Sequence, residues 1–541
     1  MREGLMMDDY PLSLTNVVMR AEQFSARRMV AFRRPDGSVG HTTMGQCIER
    51  SRRLATALAR LGIGDGDAVA TLLWNQPEHL ELYFAVPCMA AVLHTLNPRL
   101  HRDELGFIVN DAEDRAIVVD ETLLGAFGSF RGAREFEHVI VVRQSDAPLP
   151  DGYLDYEALV GGAEPMSWPA DDERRAAAMC YTSGTTGRPK GVVYSHRSMV
   201  LHSLAVALPD IKGVSRRDVV LPVVPMFHAN AWGIIYTAAL IGSALVLPGP
   251  RLDAESVLDL LAGERVTITA GVPTVWMAVL AAIEAEPKRW DLSALDHLIV
   301  GGSAAPQSMI EGFDRHGLTI VHAWGMTETS PLGSVSRPGP ELDDASEAER
   351  LRYRARQGIA CPFVEIRARN DDGELVAWDD EEMGELEVRG PWVARAYHRG
   401  QGAEKFTDDG WFITGDVVTI DEGGSIKICD RTKDLVKSGG EWISSVDLEN
   451  LLMAHPAVAE AAVIAIPDER WGERPLAAVV LREGASADPA QLREHLGSEC
   501  PKWQMPDRFE FLDEIPRTAT GKFKKTVLRE RFAGTRAGTT A

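Results

Sequence analysis

Apolar residues return along this chain in two rhythms. Within 43–61, Cys47, Ile48, Leu54, Ala57 and Leu58 fall at helical spacing, and Gly62 and Gly64 close the segment. The short apolar run 68–73 reads as a buried strand, helical spacing resumes from Pro77, and an apolar segment returns at 116–119. The alternation recurs with apolar runs at 219–224, 244–247, 268–270, 298–300 and 319–322. Short buried strands separated by helices predict an α/β architecture with mainly parallel sheets. The charge-dense stretch 341–356 reads as a solvated surface helix. From Gly384 the texture changes: 385–389, 417–420 and 424–428 alternate apolar and polar residues around glycine-rich turns, which predicts antiparallel strands. A new strand and helix pattern begins near Asp430-Arg431 and runs for about 110 residues, a normal small-domain size. The pattern therefore predicts a large N-terminal body of mixed sheets with helices, residues 1–429, and a small C-terminal lid, residues 430–541.

Composition narrows the class. A chain of 541 residues with 45% apolar and 25% charged positions is ordinary globular material, too long for one compact core. No apolar run approaches the ~20 residues of a membrane-spanning helix. The start carries Glu3, Asp8 and Asp9 in place of a basic and then apolar leader, which speaks against secretion. Cys47, Cys88, Cys180, Cys361, Cys429 and Cys500 are scattered without metal-ligand spacing, so a reduced cytoplasmic protein without structural metal is expected. A net charge of −22 argues against nucleic acid as a partner. That charge is uneven: from Asp430 onward 16 basic residues nearly balance 18 acidic ones.

One segment carries chemistry on its face. Tyr181 to Gly191 reads YTSGTTGRPKG after the apolar run 176–180. Its glycines let backbone N–H groups approach phosphate oxygens, Thr182, Ser183, Thr185 and Thr186 add hydroxyl donors, and Lys190 adds charge. It is not a Walker A loop, since Gly187 stands too close to Lys190 and Pro189 precedes the lysine.

The segment resembles the signature loop of the adenylate-forming superfamily: acyl- and aryl-CoA synthetases, firefly luciferase and peptide-synthetase adenylation domains. Six further segments match that family in order. PMFHANAW (225–232) resembles the acid-pocket segment, GGSAAP (301–306) the adenine-side loop, and WGMTET (324–329) the motif with a stacking aromatic and a magnesium carboxylate. WFITGD (411–416) resembles the ribose segment, DRTKD (430–434) the hinge, and PRTATGK (516–522) the C-terminal catalytic loop. The resemblance implies an adenylate-forming enzyme fold with a mobile α+β C-terminal domain. It also implies ATP, Mg²⁺ and coenzyme A as reaction partners and suggests a homodimer.

Roles follow from the resemblance, each with a physical basis. ATP or AMP would meet Thr182, Ser183, Gly184, Thr185, Thr186, Gly187 and Lys190 on the phosphate side. On the adenine side stand Gly302, Ser303, Ala304, His322, Ala323, Trp324, Gly325, Met326 and Thr327. Asp416 would accept the ribose hydroxyls through two oxygens, reinforced by Arg431, and Trp324 would offer a flat face to adenine. Glu328, with Thr182, would hold Mg²⁺, a hard cation that takes one or two carboxylates plus phosphate oxygens. Lys522 would stabilise charge on the reacting phosphate and align the carboxylate, with His228, Thr327 and Glu328 completing the catalytic set. Its neighbours Lys524 and Lys525 read as a solvated basic patch. Asp430 would be the hinge that exchanges Lys522 for a coenzyme A side made of Lys433, Lys437, Gly439, Gly440 and Trp442. Acetylation of Lys522 would remove its charge and regulate the enzyme.

The implied reaction joins a small-molecule carboxylic acid to coenzyme A through an acyl-adenylate. His228, Ala229, Trp232, Gly233, Gly302 and Ala323 would form the acid pocket, with Trp232 as a movable gate. Segments 439–450 and 227–232 resemble the medium- and long-chain fatty acyl branch in particular. Ala229 and Gly233, small beside the gate, are expected to widen the mouth, and the Ala323 methyl to shorten the pocket, which would suit a bulky aryl acid. Aryl and fatty acids both stay open. The alternative is an adenylation enzyme that loads a separate carrier protein; the chain runs only 19 residues past Lys522 without a carrier domain, which favours coenzyme A. A luciferase-type oxygenase and a regulatory protein on an inactive scaffold are the remaining rivals. The second is disfavoured because the loop, Glu328, Asp416 and Lys522 are all present.

Overall fold

The computed structural model describes residues 6–7, 9–170, 172–182, 188–439, 441–497, 500–517, 523–532 and 534. The predicted apolar runs become neighbouring parallel strands of two sheets. In the first, the order is Tyr153–Asp155, His138–Val142, Ala116–Asp120, Ala68–Leu72, Val92–Thr95 and Ala176–Tyr181, with Gly191–Ser195 added antiparallel at the edge. The second has a parallel centre of Thr319–Trp324, His297–Val300, Ile268–Gly271, Val219–Pro222, Ala244–Leu247 and Met29–Arg33. Ala68–Leu72 and Ala116–Asp120 are buried at every position, as expected where helices cover both faces of a parallel sheet.

One hydrophobic cluster runs between the sheets. It joins Val69, Leu93 and Val118 of the first to Leu245, Ile268 and Val321 of the second through helices Leu14–Ser25, Met44–Arg60, Pro77–Cys88 and Ile234–Ile241. Further helices close the outer faces: Arg102–Asp111 and Leu124–Phe130 on the first sheet, Ala254–Gly263, Pro273–Ala285 and Gln307–Arg315 on the second. The resulting layers alternate helix and sheet, so every long apolar strand is covered. Local signals set the boundaries: Met44–Arg60 starts on a reciprocal cap between Thr43 and Gln46, and proline opens Pro77–Cys88.

The texture change near Gly384 is also real. The second sheet continues past Thr319–Trp324 as antiparallel strands, ending in Ser425–Arg431, Phe412–Ile420, Gly384–Arg389 and Glu365–Arg369. Helix Glu347–Ala355 occupies part of the charge-dense stretch and has no buried residue. Beyond Arg431 a separate sheet forms from Val436–Ser438, Glu441–Ile443, Val458–Asp468, Gly472–Leu481 and Arg508–Phe511. Helices Ser445–Met453 and Pro489–Leu496 share one of its cores and Lys525–Arg531 another. The molecule is thus an α/β protein with a large N-terminal body and a smaller C-terminal domain.

Candidate active site

Antiparallel pairing sets Asp416 opposite Arg431 at the end of the second sheet. The Asp416 side chain is buried, with Oδ1 2.6 Å from Arg431 Nε and Oδ2 accepting the Trp324 indole N–H at 2.9 Å. Trp324 ends the strand Thr319–Trp324 and is only 7% exposed. Its N–H therefore fixes the orientation of Asp416, a link that local sequence does not reveal because the partners lie 92 residues apart.

Beside this pair, the short turn Thr327–Thr329 buries Glu328. Desolvation raises the pKa of the Glu328 carboxyl above the ordinary glutamate range, partly opposed by the Tyr397 hydroxyl, which donates to Oε1 at 2.5 Å. Tyr194 donates its hydroxyl to the Thr327 carbonyl at 2.8 Å. Lys190 stands with Nζ 5.0 Å from the Tyr397 ring centre and 3.7 Å from Glu404. The two ends of the phosphate loop are tied together: Thr182 N–H donates to the Lys190 carbonyl at 3.0 Å, and Lys190 N–H to Thr182 Oγ1 at 3.1 Å. Ser183, Gly184, Thr185, Thr186 and Gly187 lie outside the described residues. Tyr397 joins the lysine to the glutamate, and no motif in the sequence marks it.

Among the described residues, no cluster of three or more His, Cys, Asp or Glu side chains suits a metal ion. One carboxylate and one hydroxyl still fit Mg²⁺, which takes few protein ligands when phosphates supply the rest. Among the described residues only Tyr397 donates to the Glu328 carboxylate, which leaves it with acceptor capacity. On the adenine side Ser303 is exposed, Gly302 has φ +85°, and His322 is buried with Nδ1 3.1 Å from the Ala355 carbonyl. Burial lowers the His322 pKa to about 4, so the ring is neutral.

The acid-pocket segment has an uncommon backbone. Ala229, Asn230, Ala231 and Trp232 have φ of +40°, +52°, +51° and +54°, a left-handed turn of four side-chain-bearing residues. Such a conformation costs roughly 1–2 kcal/mol per residue, so its surroundings must hold it. Cys180 donates its S–H to Asn230 Oδ1 at 2.8 Å, Lys212 donates to the Trp232 carbonyl at 3.0 Å, and Tyr83 bonds the Met226 carbonyl. The Trp232 ring rests on Gly301, where a β-carbon would stand 3.3 Å from Cη2. His228 is half-buried and lines a small cavity with Thr95, Leu96, Tyr181 and Phe227.

Two sequence expectations need correction. Gly233 does not widen the pocket mouth: a β-carbon there would meet the His202 ring at 2.3 Å, so the imidazole fills the space a side chain would take. Lys525 is not part of a solvated patch. It is buried, with Nζ 2.6 Å from Glu449 and 2.5 Å from Ser445 Oγ, and Arg529 of the same helix bonds Asp434. Lys524 is exposed as expected. Asp430 belongs to the same buried group, its carboxylate accepting the Ser445 N–H at 2.7 Å at the start of helix Ser445–Met453.

The residues expected on the coenzyme A side lie beyond this group. Lys433 is exposed, and Lys437 pairs with Asp371 at 3.0 Å while standing 5.0 Å from the Trp442 ring centre. Gly439, at φ +63°, lies against Trp471. Gly440 and Lys522 fall outside the described residues.

A mixed α/β body with a buried Asp416–Arg431 pair, a buried Glu328 and a tied glycine-rich loop has the form of a nucleotide-handling enzyme. The chain belongs to the family of AMP-binding enzymes: that family's model matches residues 18–398, and the model of the AMP-binding enzyme C-terminal domain matches 447–522. It is 48% identical over 531 residues to a long-chain-fatty-acid–CoA ligase of Thermus thermophilus, covering 97% of this chain and 96% of the relative. A medium-chain-fatty-acid–CoA ligase of Ectopseudomonas oleovorans is 42% identical over 528 residues, with 96% of each chain covered. The crystal structure of an anthranilate CoA ligase in complex with anthranoyl-AMP superposes with a TM-score of 0.86 at 25% identity, covering 97% of this chain and 99% of that one.

Proposed function

We infer that the chain is an AMP-forming carboxylic acid–CoA ligase. The acid's carboxylate attacks the α-phosphate of ATP, pyrophosphate leaves, and the coenzyme A thiol then takes the acyl group from the adenylate and releases AMP. The observation that carries this reading is the Trp324–Asp416–Arg431 set, a buried two-oxygen acceptor held for a ribose beside Glu328.

In this reading Asp416 takes the ribose hydroxyls, and Lys190 with the loop 183–187 takes the phosphates. Glu328 and Thr182 would hold Mg²⁺, which would supply charge neutralisation for the phosphates when bound. Tyr397 orients Glu328. Lys522 steadies the reacting carboxylate and phosphate in the first step. Asp430 is the hinge between residues 1–429 and 430–541, and rotation about it presents Lys433, Lys437, Gly439, Gly440 and Trp442 to the thiol. A free thiol of pKa ~8.5 needs little further activation. The acid lies between His228, Ala229, Trp232, Gly302 and Ala323.

A chain acid is favoured over a bulky aryl acid. The wide mouth argued for aryl substrates is filled at Gly233 by His202, and relatives at 48% and 42% identity are fatty acid ligases by name. The test is pyrophosphate release with Mg-ATP and coenzyme A across aryl acids and straight chains from hexanoate to octadecanoate. Turnover of chains well above aryl acids is expected. A preference for aryl acids overturns the chain assignment, and silence across the panel without ATP binding overturns the ligase reading.

A further inference from the structure

Under the left-handed turn lies a polar group that the reaction above does not use. Lys212 is 2% exposed, and its Nζ donates to the Trp232 carbonyl at 3.0 Å, 5.8 Å from the centre of the Trp232 ring. An ammonium has three donors, and this one has no carboxylate partner among the described residues. The acidic group facing it is the buried Cys361 thiol, whose pKa burial pushes up to about 12 and so keeps protonated. His202 is buried alongside, its Nε2 without a hydrogen-bond partner among the described residues, its ring against Gly233 and edge-on to Trp392 with centres 6.2 Å apart. Burial, and after it the nearby Lys212, lower the pKa of this imidazole well below the ordinary histidine range.

Capping one carbonyl does not require a charge. A neutral amide would do it without the penalty of a buried ion that lacks a counter-ion. The place of this ion is informative: the indole that rests on Gly301 and Gly302 is the one that has Lys212 beside it. The space that the Trp232 ring fills borders the ammonium, and it would open to an acid tail if the indole moved aside.

We propose that Lys212, with His202, forms the distal end of the acid pocket and selects a carboxylic acid carrying a second oxygen acceptor at its far end, a second carboxylate being the strongest form. This rests on the ligase reading and on Trp232 as the gate. Such an acceptor takes the donors of Lys212 that no described residue takes, and accepts the His202 Nε2–H in that tautomer. A methyl-ended acid leaves both unpaired, and sites built for a polar group discriminate strongly against analogues that lack it.

The experiment compares matched acids of equal length, ending in a methyl group, a methyl ketone or a carboxylate, from hexanoate to octadecanoate in size. The readout is kcat/KM for pyrophosphate release by the wild type, Lys212→Met and Lys212→Gln, the last retaining a donor for the Trp232 carbonyl. At the best length the wild type should favour an oxygen-ended acid by about tenfold or more, and Lys212→Met should reverse the order. If Lys212→Met fails to fold, Lys212→Gln carries the comparison, with the carboxylate-ended acid losing most. A wild type that favours the methyl-ended acid at every length, with the ratio unmoved by Lys212→Gln, overturns the proposal while leaving the ligase reading intact. Absence of pyrophosphate release from all acids, together with absence of ATP binding, removes both.

Discussion

At the scale of single residues, the site depends on side chains that hold other side chains. Trp324 reads in the sequence as an adenine platform, yet its N–H is spent on Asp416. A hydrogen bond to a charged group contributes about 1.5–3 kcal/mol. Trp324→Phe keeps an aromatic face and loses only that donor. It should raise KM for ATP about tenfold, the equivalent of about 1.4 kcal/mol, with a smaller change in KM for the acid. Initial-rate kinetics with each substrate varied in turn measures the split, and an unchanged KM for ATP would assign Trp324 to stacking alone. Lys212 follows the same logic one layer deeper, since its partner is the Trp232 backbone carbonyl, which a neutral donor could satisfy.

At the scale of elements, most of the architecture is legible because each parallel strand is an unbroken apolar run. Ala68–Leu72, Ala244–Leu247 and His297–Val300 are buried at every position, so nothing in their pattern competes with the strand reading. Where two elements far apart in sequence meet, the legibility ends. Lys525 stands in a run of three lysines among residues 522–525 and reads as surface charge; only folding brings Glu449 and Ser445 against it. Gly233 fails in the same way, because a small residue beside a pocket and a small residue beside His202 look identical in one dimension. The buried Lys525–Glu449 pair ties helix Lys525–Arg531 to helix Ser445–Met453. Removing one partner strands the other charge, at a cost of about 3–5 kcal/mol. Lys525→Met should therefore lower the unfolding free energy of the C-terminal domain by about that amount, read from the shift of the denaturant midpoint in Trp471 and Trp503 fluorescence. The double variant Lys525→Met, Glu449→Leu should recover most of the loss, and a single variant as stable as the wild type would contradict the pairing.

At the scale of the whole molecule, one chain has to carry out two chemical steps on the same carboxyl group, the first at the α-phosphorus through a carboxylate oxygen and the second at the carboxyl carbon. The first needs a cation where the acid and the α-phosphate meet; the second needs that place vacated so that a thiol can approach. Under the proposed function, a small C-terminal domain joined to the body near Asp430 would meet both demands by turning. Asp430 is suited to the pivot because its carboxylate is anchored to helix Ser445–Met453 while its backbone remains in the last strand of the body's sheet. The consequence is a separation of half-reactions that a shared rigid site would not give. Lys522→Ala should suppress pyrophosphate release on the order of a hundredfold or more, since one preorganised electrostatic contact commonly contributes that much. Conversion of chemically prepared acyl-adenylate and coenzyme A to the thioester should stay within a few-fold of wild type. Quenched-flow assays of each half-reaction decide the matter. Equal loss in both would mean that Lys522 serves a single closed state, and the pivot at Asp430 would then lose its reason.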